Sequence, residues 1–250
     1  MASKEEKIKI LGINASPRKY GNTFKLLYIA LRTAEKYGAD IELVHLYDYD
    51  IKPCLGCLSD IQHACRYPCV IDDGARVVLD KILRADGLII ATPIYWYGPS
   101  GHLKNLIDRM TVFENMIFID GYSWVEGKVA AFIATGSDSG DINTISYLSI
   151  VLNSMGFIIP PWALAYHARE GDVLENKNAV LDAANIGKII VETTHLIRSK
   201  KRWYDPSLLD KDKIKKIIEE TRIRAQENKE DQYPLRIKQI SKLISREKLE

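Results

Sequence analysis

The chain has 250 residues, 46% of them hydrophobic, and a formal net charge of +2 at pH 7. That length suits one domain with an appendage, and the composition suffices for a full core. The balanced charge gives nucleic acid and membrane surfaces no electrostatic hold, and no apolar run of about 18 residues is present to span a bilayer. The polar start, Met1-Ala2-Ser3-Lys4-Glu5-Glu6, lacks the apolar centre of a signal peptide, so a cytoplasmic location is expected.

Ile8-Lys9-Ile10-Leu11-Gly12-Ile13 reads as a buried parallel strand. A helical pattern follows through Phe24, Leu27, Leu31 and Ala34. Between them lies Ser16-Pro17-Arg18-Lys19-Tyr20-Gly21-Asn22-Thr23, a polar loop that opens onto a helix N-terminus. Backbone N–H groups and the helix dipole favour a phosphate there, with donors from Ser16, Asn22 and Thr23 and charge from Arg18. The loop is neither a Walker A sequence nor the Gly-x-Gly-x-x-Gly fingerprint. Its plainer reading is an ordinary strand-to-helix turn capped by Asn22 or Thr23.

Strands are predicted at Ile41 to Leu46, Gly87 to Ala91, Val129 to Ala134 and Gly156 to Ile159, the last stopped by Pro160-Pro161. Helices are predicted from Ala75 to Arg84, Gly101 to Val112, Ile142 to Met155 and Asn178 to Arg198. Continuous apolar strands alternating with helices imply an α/β fold with a doubly wound parallel sheet. Five strands suit the flavodoxin-like order 2-1-3-4-5, with a ligand beyond the carboxyl ends of the strands. The loops after strands one, three and four should converge there. The second is Thr92-Pro93-Ile94-Tyr95-Trp96-Tyr97-Gly98, and the third runs from Thr135 through Gly136 and Ser137 to Gly140.

Residues 1–200 are read as the ligand-binding domain and 201–250 as a charged helical extension. Two amphipathic patterns occur in the extension, with breaks at Asp205-Pro206 and Tyr233-Pro234. Narrow apolar stripes of this kind need a surface to pack on, which predicts oligomerisation.

The sequences Gly12-Ile13-Asn14-Ala15-Ser16-Pro17-Arg18 with Gly21-Asn22-Thr23, Thr92-Pro93-Ile94-Tyr95-Trp96 and Leu103-Lys104-Asn105-Leu106-Ile107-Asp108-Arg109 resemble the NAD(P)H-dependent FMN reductases of the flavodoxin-like superfamily, in the branch related to iron–sulfur flavoproteins. The resemblance implies bound FMN, with NAD(P)H as co-substrate. It places the phosphate on Ser16, Arg18, Asn22 and Thr23, the ring along Pro93, Ile94, Tyr95, Trp96, Tyr97 and Gly98, and Thr135, Gly136 and Ser137 over the pyrimidine side or ribityl chain. The aromatic residues agree with a flavin wall, and are equally suited to a core or an interface. Asp108 and Arg109 read as a structural ion pair rather than as chemistry.

All four cysteines fall within sixteen residues, as Cys54-x2-Cys57-x7-Cys65-x3-Cys69. They resemble the cluster loop of iron–sulfur flavoproteins, except that Asp60 stands where that family has its third Cys. A four-iron cluster, Zn, disulfides and free thiols all remain open for this set. His63 could join a Zn site or simply be solvated.

The expected function is FMN-dependent oxidation of NAD(P)H, with electrons passed to a small-molecule acceptor such as flavin or a quinone. No side chain need act as acid or base. The resemblance also implies a homodimer or homotetramer. The alternative is an electron carrier of the iron–sulfur flavoprotein type without pyridine-nucleotide activity. A response-regulator-like module would need acidic residues where Asn14-Ala15-Ser16 stands.

Overall fold

The computed structural model describes residues 7–199 and 202–247. The boundary expected between residues 200 and 201 lies outside them. The chain divides into two compact units, Met1–Tyr204 and Asp205–Glu250.

In the first unit a five-stranded sheet has the order β2-β1-β3-β4-β5. The strands are β1 Lys9–Asn14, β2 Asp40–His45, β3 Gly87–Pro93, β4 Val129–Gly136 and β5 Leu164–Ala168. Every pairing is parallel, so all carboxyl ends share one edge. β3 and the first seven residues of β4 are buried throughout, as expected for strands covered on both faces.

Helices α1 Asn22–Lys36 and α5 Lys177–Ile197 cover one face. Helices α2 Ala75–Arg84, α3 Gly101–Arg109 and α4 Asp141–Ser154 cover the other. In α1 the buried positions Thr23, Leu26, Leu27, Ala30, Leu31 and Ala34 follow the three-and-four spacing of one helix face. The helices α1 and α5 pack tightly at Gly187, where a Cβ would clash with the backbone at Ala30 and Ala34.

Three local expectations change. Gly156 to Ile159 is not strand five. Ile158 makes one isolated parallel bridge to Val129. The chain then leaves the sheet at Pro160-Pro161, which lack N–H donors, and passes through Trp162 at φ 61°. It rejoins β4 at Leu164. The helix expected from Gly101 to Val112 stops at Arg109, and a separate helical turn covers Thr111–Glu114. In the second unit, helix α6 Asp212–Glu247 runs through Pro234 without a break. Proline forfeits one backbone bond there, and the exposed neighbouring turn can give the freed carbonyl to water.

One buried ion pair ties the loops of the first unit together. Arg109 is 1% exposed and pairs with Asp73, with Nη1 2.8 Å from Oδ2 and Nη2 3.2 Å from Oδ1. Its Nη1 also donates to the Lys52 carbonyl and Nη2 to the Ile71 carbonyl. Asp73 accepts in turn from the backbone N–H of Lys52 and Ala75. Both ends of the cysteine loop are thus clasped by one guanidinium. Asp108 is not part of this pair but bonds Lys104.

Burial alone would raise the Asp73 pKa. The Arg109 hydrogen bonds and the two N–H donors outweigh it and hold the carboxyl below its ordinary value. A depressed folded-state pKa contributes stability that is present above the unfolded value and lost as pH falls through the folded one. Asp73→Asn should therefore cost about 3–5 kcal/mol at pH 7, because Arg109 is left buried and unpaired. It should also reduce the loss of stability on acidification below about pH 4. Urea unfolding of both proteins at pH 7 and pH 3 checks this, and equal midpoints at pH 7 would refute it.

Candidate functional site at the carboxyl edge of the sheet

The strand order reverses between β1 and β3, so the loops leaving them diverge to opposite faces and open a crevice. The β1 loop is organised by its own side chains. Ser16 is buried, its N–H donates to Asn14 Oδ1, and its Oγ accepts from Arg18 N. Asn14 also contacts His45 Nδ1 at 3.0 Å. Burial, then the nearby Lys19 charge, lowers the His45 pKa, which favours the neutral ring.

Helix α1 begins without a side-chain cap. Its N-cap is Gly21, and its first turn contains no acidic residue. Neither Asn22 nor Thr23 caps it. Asn22 instead donates to the Gly171 carbonyl at 2.9 Å and accepts from Val173 N at 3.2 Å. Thr23 Oγ1 lies 2.6 Å from Thr135 Oγ1, and both residues are buried. The first-turn amides of α1 therefore remain available to an anion, next to Ser16 and Arg18. Two hydroxyls joined by one hydrogen bond leave one O–H free to donate.

Ser100 is a site residue that the sequence reading missed. It is fully buried, and its Oγ donates to the Ala15 carbonyl and accepts from Leu103 N as the cap of α3. Its own N–H donates to Thr92 Oγ1. The β1 and β3 loops are joined through it. A Ser three residues before a Leu-rich helical run is a cap signal visible in the sequence.

Beyond Pro93, Ile94 N donates to the Thr135 carbonyl, so the β3 and β4 loops are also joined. Tyr95 and Gly98 exchange two backbone hydrogen bonds around Trp96 and Tyr97. Those two residues have φ of 51° and 64°, the left-handed pair of a type I′ turn. Side chains with a Cβ adopt this conformation at a cost of about 1–2 kcal/mol each. Strain of this kind persists where the surroundings impose it, commonly at ligand clamps. Trp96 is 96% exposed, so no packing of its ring repays the cost. Beneath the turn, a Cβ on Gly140 would meet Ile94 and the Tyr97 backbone. Thr135 is buried, Gly136 half-buried and Ser137 exposed.

The residues read as an FMN site are thus brought to one edge. A planar, phosphate-bearing group fits them, on the evidence of the uncapped α1 N-terminus beside Arg18 and the exposed aromatic turn.

The cysteine loop connects β2 to α2. Cys54, Cys57, Cys65 and Cys69 are free thiols lining one cavity of about 290 Å³, with Arg109 in its wall. Asn115 holds the loop by donating to the carbonyls of Gln62 and Cys65. Burial, then the neighbouring thiols, pushes the Cys65 thiol up to about 11. Among the described residues no three His, Cys, Asp or Glu side chains are arranged to hold a metal ion. As placed, the thiols do not fit a preformed cluster, and His63 does not line their cavity.

Among the described residues no helix is long and apolar enough to cross a membrane. Comparison with known proteins gives concordant likenesses. The chain is 29% identical over 203 residues to an iron-sulfur flavoprotein of Methanocaldococcus jannaschii, covering 76% of this chain and 100% of that one. It is 33% identical over 154 residues to an iron-sulfur flavoprotein of Archaeoglobus fulgidus, covering 62% and 72%. In fold it is similar to RosB, solved with 8-demethyl-8-formylriboflavin-5'-phosphate, at a TM-score of 0.66 and 20% identity over 88% of this chain and 87% of that one. The model of the NADPH-dependent FMN reductase family matches residues 8–170, and the chain belongs to that family of flavodoxin-like oxidoreductases.

Proposed function

We propose that the protein oxidises NAD(P)H through FMN held at the carboxyl edge of the sheet, and passes the electrons to a small-molecule acceptor such as free flavin or a quinone. The observation that carries this reading is the uncapped N-terminus of α1, set beside Ser16 and Arg18 at the point where strand order reverses. FMN, when bound, supplies the redox chemistry, accepting a hydride and giving up electrons singly or in pairs.

The chain supplies binding and orientation. Ser16, Arg18 and the free hydroxyl of the Thr23–Thr135 pair, with the α1 amides, take the phosphate. Asn22 acts at one remove, since its amide is committed to Gly171 and Val173. Pro93, Ile94, Tyr95, Trp96, Tyr97 and Gly98 flank the ring, and Thr135, Gly136 and Ser137 close its polar side. Backbone N–H groups there stabilise the charge of the reduced ring. The reaction takes place in the cytoplasm and calls on no side-chain acid or base.

Anaerobic mixing with NADPH or NADH tests this directly. The flavin absorbance should bleach and return when acceptor is added, and no bleaching with either donor would refute the reading. Arg18→Ala should weaken FMN binding roughly tenfold or more, the worth of one charge-assisted hydrogen bond. Titration of apoprotein with FMN measures it.

A second reading, an electron carrier of the iron–sulfur flavoprotein type, is favoured by the four thiols around one cavity and by the relatives' name. It would need the loop to rearrange around metal. Anaerobic iron and sulfide analysis separates the two: about four irons per chain favours the carrier, and metal-free protein that oxidises NAD(P)H favours the reductase.

We further propose that the extension 205–250 joins chains into a homodimer or homotetramer. Ile217, Ile218, Ile223, Leu235, Ile237, Ile240 and Ile244 of α6 are exposed, and an apolar stripe gains stability only against a partner surface. Truncation after Tyr204 should lower the assembly size measured by light scattering and leave FMN binding intact. Unchanged size would refute the role.

A further inference from the structure

Asn14 ends β1, His45 ends β2, and the two are register partners. Partners in adjacent parallel strands point to the same face of the sheet. Helix α1 covers that face, and its Phe24 ring lies 5.7 Å from the imidazole of His45. Asn14 is fully buried and His45 half-buried.

Hydrogen-bond chemistry leaves one arrangement for this contact. The N–H of Ser16 can only donate, so the Asn14 atom that it meets at 3.3 Å is the amide oxygen. The amide nitrogen therefore faces His45 Nδ1, at 3.0 Å. That nitrogen also only donates, so Nδ1 accepts and the proton of the neutral ring sits on Nε2. An imidazolium carries a proton on both nitrogens and would set donor against donor. Turning the Asn14 amide over does not cure this, because its nitrogen would then meet the N–H of Ser16. The buried amide is satisfied only beside a neutral His45.

From Asn14 the order passes into the polar loop. Ser16 Oγ accepts from Arg18 N at 3.1 Å, and the Arg18 carbonyl accepts from Gly21 N at 3.3 Å. Gly21 is the N-cap of α1. A run of hydrogen bonds thus leads from the imidazole through Asn14, Ser16 and Arg18 to the first turn of the helix. The charges that act on the ring are Lys19, which disfavours the imidazolium, and Asp48, which favours it. They form an ion pair at 2.6 Å, so their effects oppose. The other neighbours, Asn14 and Phe24, carry no charge.

We propose that His45 is a positioning residue for the cofactor phosphate: its Nδ1 fixes Asn14, and Asn14 holds the loop from Ser16 to Gly21 in the shape that receives the anion. This rests on the reading of that loop as the FMN phosphate site. Burial first, and Lys19 second, keep the ring uncharged at physiological pH. The tie is therefore complete there and is lost as pH falls below the ordinary imidazole value of about 6.5. An imidazolium acting by charge alone would have the opposite sign, since it would strengthen the hold on a phosphate.

The test titrates FMN into the apoprotein of the full chain between pH 8 and pH 5, with His45→Asn and His45→Leu beside the native protein. Asn brings a non-titrating amide oxygen to the place of Nδ1, whereas Leu removes the acceptor. At pH 8 His45→Asn should bind FMN as the native chain does. His45→Leu should bind roughly three- to tenfold more weakly, the worth of one neutral hydrogen bond. On acidification the native chain should lose roughly three- to tenfold more affinity than His45→Asn. Titration of the phosphate itself is common to both proteins and cancels in that ratio. Ring ¹⁵N shifts of the native chain at pH 8 should report the Nε2–H tautomer. Parallel pH profiles, a native chain that gains affinity relative to His45→Asn at low pH, or the Nδ1–H tautomer would each overturn the proposal. The comparison with His45→Asn decides even where His45→Leu does not fold. Absence of FMN binding by the native chain at pH 8 would overturn the flavin site as well, whereas tight binding with parallel profiles would leave that site standing and remove His45 from it.

Discussion

The hydrogen bond between Thr23 and Thr135 spans 112 residues of sequence and is 2.6 Å long. It fastens the start of α1 to the end of β4, and so fixes the α1 amides relative to the loop that runs beyond that strand. Ser100 does the same between the β1 and β3 loops, and Asn22 between α1 and the chain that follows β5. Each is a neutral bond whose net worth is only about 0.5–1.5 kcal/mol. Their effect is geometric. The strands below are rigid and parallel, so a few short ties suffice to hold four loops in one arrangement. Polar side chains that would otherwise serve a ligand are spent on positioning the backbone that does.

Central strands and their helices were legible because burial on both faces leaves a continuous apolar run, as in Leu88-Ile89-Ile90-Ala91 and Ala130-Ala131-Phe132-Ile133. The same criterion misplaced the last strand. Gly156-Phe157-Ile158-Ile159 satisfies it, and its Ile158 touches the sheet once. The true edge strand, Leu164-Ala165-Tyr166-His167-Ala168, alternates between exposed and buried because only one side of it is covered. Its signal has period two and includes a His, so a search for apolar runs passes over it. That error hid the buried His167 and its contact with Asn176, since the strand that carries His167 was not found. Ser100 carries a local cap signal, but only half of its role is local. Its role depends on the Ala15 carbonyl, 85 residues away, and no local pattern encodes that. The tail misled in the opposite direction, because Pro234 is a strong breaker in a buried helix and a mild one where neighbouring groups face solvent.

The cysteine loop follows another logic. Arg109 was legible as a structural cation, but not its partner, which is Asp73 rather than its sequence neighbour Asp108. The pair holds both flanks of the loop, and between them Asn115, the Tyr67–Asp80 hydrogen bond and Tyr67 packed on Phe113 and Trp124 brace the segment that carries the thiols. Burial and the three neighbouring thiols raise the Cys65 pKa, so its thiol is neutral at physiological pH unless a cation is bound beside it. The result is a loop clasped at both ends whose four thiols face one cavity.

Unsatisfied groups are unevenly distributed over this protein. Among the described residues, the buried side-chain atoms without a hydrogen-bond partner are Arg109 Nε, Asn115 Oδ1 and His167 Nε2. The first two border the cysteine loop, and the third belongs to the carboxyl end of β5. The left-handed Trp96 and Tyr97 and the uncapped start of α1 sit at that same edge. A fold stable by a few kcal/mol tolerates such defects only in small numbers. The cost is thus shared between the carboxyl edge, the cysteine loop and the Trp162 turn that precedes β5.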